Sequence, residues 1–203
     1  MKLETFDWTK YSLARINLVA QGRGGCPKVL PQVDEETLIR FRETLKGNLN
    51  EDDRQMLELY DSLSSFDKGT FGASLRKYYS ETGHSPVDAQ GTFPVRYIMI
   101  HDAHHVLIGA NTDEQGELDV LAFECGLTNG GQSAQSIIPL ISQIKAFGGD
   151  FEAPRIGKYW EMGCKIKQPL LDTWQIESVL DYPLPVLRQK YGIPGDWKSV
   201  PNA

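Results

Sequence analysis

The chain has 203 residues, 40% of them hydrophobic and 24% charged, with a formal net charge of -6. That length can bury a core as one domain, and the composition argues against disorder over the whole chain. No basic patch interrupts the acidic balance, which argues against a nucleic-acid partner, since such a surface must neutralise phosphates.

Residues 1–33 read as an N-terminal segment that packs on, or leads into, a helical domain over 34–203. The stretch QGRGGCPKVLPQ (21–32) is the clearest early punctuation, rich in Gly and Pro. The first residues lack an apolar run followed by a small-residue cleavage site, and they carry Glu4 and Asp7, so neither a secretory nor a mitochondrial leader is expected. Cys26, Cys125 and Cys164 are odd in number and far apart, the pattern of a reducing compartment. No apolar run approaches the ~18 residues of a membrane span. The expected location is therefore cytoplasmic.

From residue 34 on, the signals are helical. DEETLIRFRETLKG (34–47) starts at Asp34 as a candidate N-cap and carries an apolar stripe of Leu38, Ile39, Phe41 and Leu45. NEDDRQMLELYDSL (50–63) follows. GTFGASLRKYYSETG (69–83) reads as a short helix closed by Gly83. Pro94 then opens a helix running to about Gly109. Three more helices are expected over 113–127, 133–147 and 153–166, and the tail 172–194 reads as one or two short ones broken near Pro183. Strand alternation is weak throughout, so the predicted fold class is all-α.

The helix from Pro94 to about Gly109 holds three of the chain's four histidines, His101, His104 and His105, beside Asp102. On a helical wheel with His101 at zero, His105 falls at about 40° and Asp102 at about 100°, while His104 falls at about -60° and is left outside the site. The rest of this helix is apolar nearly all round, the pattern of a buried central helix. A buried carboxylate without a partner costs several kcal/mol, so Asp102 must be paired or bind a metal; hydrogen bonding to a histidine is the alternative. Two imidazoles and a carboxylate on one arc form half of a metal site, with the i, i+4 histidine spacing of zinc-binding helices. An antiparallel following helix brings Glu117 back alongside His105, with Glu124 as a spare candidate on the same face. Such a ligand set suits one divalent metal, zinc or iron(II).

The spacing H-D-x-x-H alone is not specific. Zincins need Glu in second position, and ferritin-like sites need two Glu-x-x-His units. An HD-type metal-dependent phosphohydrolase stays open, with His84 as its required upstream histidine.

The segment HDAHHVLIGANTDEQGE (101–117), with eleven residues between His105 and Glu117, resembles the ubiquinone (coenzyme Q) biosynthesis family usually written Coq-four. GTFGASLRKYY (69–79) and WEMGCKIKQPLLDTWQIESVLDYPLPVLRQKYGI (160–193) are similar to that family on either side. The resemblance covers roughly residues 55–193; Ala103 and His104 stand where the family typically has Leu and Trp. It implies an all-α fold and metal ligation by His101, Asp102, His105 and Glu117. It also implies action on a polyprenyl-benzoate precursor of ubiquinone, by oxidative decarboxylation and hydroxylation at ring carbon C1. The implied partners are the prenylated lipid, other quinone-biosynthesis proteins and the inner membrane face as a peripheral contact; a homodimer is compatible with this. For such a substrate, Ile137, Ile141 and Ile144 offer an apolar face for the isoprenoid tail, and Lys145, Arg155 and Lys158 offer charge for an anionic head group; ordinary core packing of the isoleucines and solvation of the charges are the alternatives. The rival reading from another class is a non-catalytic, prenyl-lipid-binding organiser of a biosynthetic complex, its metal holding two helices together.

Overall fold

The computed structural model describes residues 49–86, 94–128, 134–146, 150–167, 170–171 and 173–194. The segment 1–33 and the helix expected from Asp34 lie outside the described residues. Seven α-helices run through the rest: α1 Glu51–Ser62, α2 Phe71–Thr82, α3 Val95–Ile108, α4 Glu114–Leu127, α5 Ala134–Ala146, α6 Ala153–Lys165 and α7 Leu184–Lys190. The chain is all-α; among the described residues the sole β-type pairing is an isolated bridge between Thr70 and Pro183. None of these helices is long and apolar enough to cross a membrane.

Local sequence sets most helix ends. Asn50 and Asp53 form a reciprocal capping box on α1, and the Asp53 carboxylate also accepts the Val95 N–H at 2.8 Å. One side chain thus serves the N-termini of both α1 and α3. Thr70 caps α2 and Asp113 caps α4. Gly83 and Gly109 adopt φ of 69° at the ends of α2 and α3, a left-handed conformation that a Cβ would strain.

The other end contacts are tertiary. The first N–H groups of α2, on Phe71 and Gly72, donate to the carbonyls of Tyr182 (2.8 Å) and Leu180 (2.9 Å). Arg188 of α7 donates to the last carbonyls of α3, at 2.8 Å to Leu107 and 3.1 Å to Val106. Free carbonyls at a helix C-terminus favour a cation there, so this contact both satisfies α3 and docks α7. Arg96 ties the start of α3 to Asp52 of α1 (2.8 Å) and to Glu177 (3.1 Å).

The core is built around α3 and α4. Met99, Ile100, Ala103, Leu107 and Ile108 of α3 are buried, with Phe71 and Leu75 of α2, Val120 and Phe123 of α4, and Leu180 and Leu187 of the tail. A second cluster joins Leu118 and Leu121 of α4 to Leu140 and Ile144 of α5. At the α4/α6 crossing Gly126 and Gly163 face one another, and a Cβ on either would press into the backbone of the other helix. The two helices therefore pack backbone to backbone.

A buried ion pair reinforces that crossing. Asp119 of α4 is fully buried and meets Arg155 of α6 at 2.5 Å and Gln115 at 2.7 Å. Burial pushes the Asp119 carboxyl above its ordinary value against the pull of Gln115 and Arg155. Removing one partner of a buried pair costs far more than the pair itself contributes. Arg155→Met is expected to lower the unfolding free energy by about 3 kcal/mol, read from urea denaturation; an unchanged midpoint would show that Asp119 is satisfied without Arg155.

Candidate metal centre

Residues four apart on α3 lie on one face, which places the rings of His101 and His105 side by side with centroids 5.1 Å apart. The turn after Gly109 sends α4 back past them. Gly116, one residue before Glu117, sits so close to the carbonyl oxygen of Asn111 that a Cβ would overlap it, so this approach of the turn requires glycine.

Glu117 then reaches both rings. Its Oε2 is 3.2 Å from His101 Nε2 and its Oε1 is 3.3 Å from His105 Nε2. His101, His105 and Glu117 each offer an atom within 4.8 Å of the other two, an arrangement that could hold a metal ion. Two bonds of about 2.0 Å at a tetrahedral angle span about 3.3 Å, close to these separations.

The chemistry of the donors fits a cation. His105 is buried, and among the described residues neither of its ring nitrogens has a hydrogen-bond partner; the Glu117 contact is near in distance but out of line. Buried polar atoms are rarely left so, and a metal–nitrogen bond is one way to satisfy one. Burial alone would raise the Glu117 carboxyl, but His105 and His101 hold it well below the usual carboxylate range. It is the charged, ligating form. The His101 side chain keeps 17% of its surface exposed while those of Glu117 and His105 are almost wholly covered, so the cluster faces solvent past His101.

Asp102, the fourth expected ligand, is not in this cluster. It is one residue from His101, hence about 100° round the helix, and it faces α2 instead. There it accepts a hydrogen bond from Tyr78 Oη at 3.2 Å, and burial raises its carboxyl above the ordinary value. It is therefore paired, with a phenol rather than with a histidine. The Tyr78 ring lies 5.6 Å from that of His105 and its hydroxyl is 3.4 Å from His84 Nδ1. His84 thus approaches through Tyr78 and does not join the converging atoms. Tyr78 carried no sequence signal beyond an aromatic on an amphipathic helix; its role comes from the packing of α2 on α3.

Glu124 lies about two α-helical turns beyond Glu117, on the same face, and contacts the opposite nitrogen of His101, with Oε1 3.0 Å from Nδ1. The same oxygen is 3.0 Å from His104 Nδ1. His104, set aside on the wheel, is tied to the site through this carboxylate.

The groove expected along α5 is occupied by protein. Ile144 is buried with Leu118, Leu121 and Leu140, and Ile137 and Ile141 pack against that cluster, so this face serves as core. Lys145 pairs with Asp150 at 2.8 Å and Arg155 with Asp119, while Lys158 is exposed. Both paired cations are engaged by side chains of this chain.

No family model matches the chain, and no curated protein matches its sequence.

Proposed function

We propose that the protein binds one divalent cation, zinc or iron(II), through His101, His105 and Glu117. We further propose that it uses this site in ubiquinone biosynthesis, for oxidative decarboxylation at C1 of a polyprenyl-benzoate precursor. The observation that carries the first part is the buried His105 ring, with both nitrogens lacking hydrogen bonds among the described residues, set against a charged carboxylate and a second histidine. The second part is supported by the resemblance of residues 101–117 to the Coq-four family.

A cation here would act as a Lewis acid on the substrate carboxylate, and iron(II) would add reactivity toward O2 that zinc lacks. Three protein ligands leave room for a substrate oxygen, the pattern of catalytic rather than structural sites. In the reaction the carboxyl carbon leaves as CO2 and O2 supplies the new hydroxyl oxygen. The second oxygen atom leaves as water, with two electrons and two protons drawn from a separate two-electron donor of the reduced nicotinamide or flavin class. The chain's own part is to hold the ligands in a fixed geometry and, through the partly buried Tyr78 beside His105, to limit water.

The test is metal analysis of protein purified without added metal, followed by cation-dependent release of CO2 from carboxyl-labelled polyprenyl-benzoate. The expected result is one cation per chain in the wild type, lost in His105→Ala. Absence of metal together with no uptake on titration would sink the proposal. A bound cation without CO2 release would favour the organiser reading.

A further inference from the structure

His104 is fully buried and turned away from the cation cluster. Its ring is stacked on Trp174 with centroids 5.5 Å apart and planes 5° from parallel, and Phe123 meets it edge-on at 5.3 Å. Packed between these two rings, it is held in one orientation. Its Nε2 lies 2.9 Å from the carbonyl oxygen of Leu170, which can only accept, so Nε2–H donates. Its Nδ1 lies 3.0 Å from Glu124 Oε1, the oxygen that also meets His101 Nδ1. A line of hydrogen bonds therefore runs from the Leu170 carbonyl through His104 and Glu124 to His101, whose other nitrogen faces Glu117 and His105.

A neutral imidazole has one N–H and one lone pair, and the partner of one nitrogen decides which the other presents. We propose that Glu124 and His104 are a positioning pair for the cation site. Glu124 takes the Nδ1–H of His101, which leaves the His101 Nε2 lone pair directed into the space shared with Glu117 and His105. His104, braced by Leu170 and Trp174, faces an acceptor oxygen at each nitrogen and bonds both only with a proton on each; in that form its Nδ1–H donates to Glu124 and fixes the carboxylate in turn. This inference rests on the cation-binding reading above and adds to it two residues that need not touch the cation. Carboxylates that orient a ligating histidine typically affect metal affinity by about 10- to 100-fold.

The experiment measures the zinc Kd by competition with a chromophoric chelator, in wild type, Glu124→Gln and His104→Phe, with folding checked by circular dichroism. In parallel, nitrogen–proton correlation spectra of zinc-loaded wild type report which nitrogen of His101 carries the proton. The expected result is a Kd raised about 10- to 100-fold in Glu124→Gln, a smaller rise in His104→Phe, and a proton on Nδ1 of His101. An unchanged Kd in a folded Glu124→Gln, or a proton on Nε2 of His101, would overturn the pair while leaving the cation site standing. A wild type that takes up no zinc would overturn both. Should Glu124→Gln fail to fold, the wild-type spectrum alone decides.

Discussion

Zinc at about 1,000 times its Kd is expected to raise the unfolding free energy of the wild type by about 4 kcal/mol, and Glu117→Gln is expected to abolish that gain. Gln keeps the shape of Glu117 and removes the charge that joins the two histidines, so the fold should persist without the added cation. At a fixed zinc concentration the gain should also grow with pH. Burial would lower the His101 ring's affinity for a proton, but Glu124 and Glu117 overcome this and hold it well above its ordinary value. A cation must displace that proton, so uptake weakens as pH falls.

The cation-free protein behaves in the opposite sense. The His101 ion pairs contribute fully below the ordinary histidine value of about 6.5, and their contribution fades as pH rises through the raised value. The contributions of Glu117 and Glu124, whose carboxyls are held low by the histidines, are present above the ordinary value of about 4.5. They fade as pH falls toward the lowered one. The difference in Tm between zinc-loaded and zinc-free protein should therefore be larger near about pH 8 than near about pH 6. An equal difference at both would mean that zinc does not compete with the His101 proton. The same variant also separates catalytic from organising roles. A folded, zinc-free Glu117→Gln that releases no CO2 fits catalysis, whereas loss of function that tracks loss of Tm fits a structural metal.

Gly163→Ala is expected to be among the most damaging single-methyl changes in the described residues. Its Cβ would fall on the carbonyl oxygen of Phe123 and 2.9 Å from the Cα of Gly126, both backbone atoms that no rotamer change can move. The α4/α6 crossing would have to open. Overpacking of this kind costs about 3 kcal/mol, or about 6–12 °C in Tm for a chain of this size. Because α4 carries both Glu117 and Glu124, the variant should also bind zinc more weakly although it touches no ligand.

Gly157→Ala, on the same helix, is the matched control. Nothing lies within 4 Å of its Cβ, so alanine's better helix propensity should stabilise by about 0.5–1 kcal/mol. Equal effects of the two substitutions in thermal denaturation would show that the crossing is not close-packed.

Periodicity and end signals made much of the fold legible. The closing glycines at 83 and 109 and the all-round apolar character of α3 each follow from a few adjacent residues. The i, i+4 spacing likewise put His101 and His105 on one face, and a short turn made an acid on the next helix a natural neighbour. The same wheel put Asp102 on the arc as an expected ligand, but a wheel gives the angle of a side chain and not what faces it. Its partner, Tyr78, comes from another helix, α2. His104 falls about 60° from His101 on the wheel and so outside the expected site, yet Glu124 ties it to His101, and Leu170 and Trp174, on a distant part of the chain, fix it. Arg155 and the isoleucines of α5 suggested a ligand surface, and tertiary packing turned them inward to Asp119 and the core.

The sequence by itself determined which segments are helical, where most of them end, and that one buried helix concentrates imidazole. Only the tertiary structure decided which neighbours complete the cluster: Glu117 and Glu124 on opposite nitrogens of His101, and Tyr78 on Asp102. Helix formation is a matter of contacts within a turn or two, whereas these pairings depend on how far helices approach. That distance is set by residues without side chains, Gly116 against Asn111 and Gly126 against Gly163, whose role appears only when the helices are brought together.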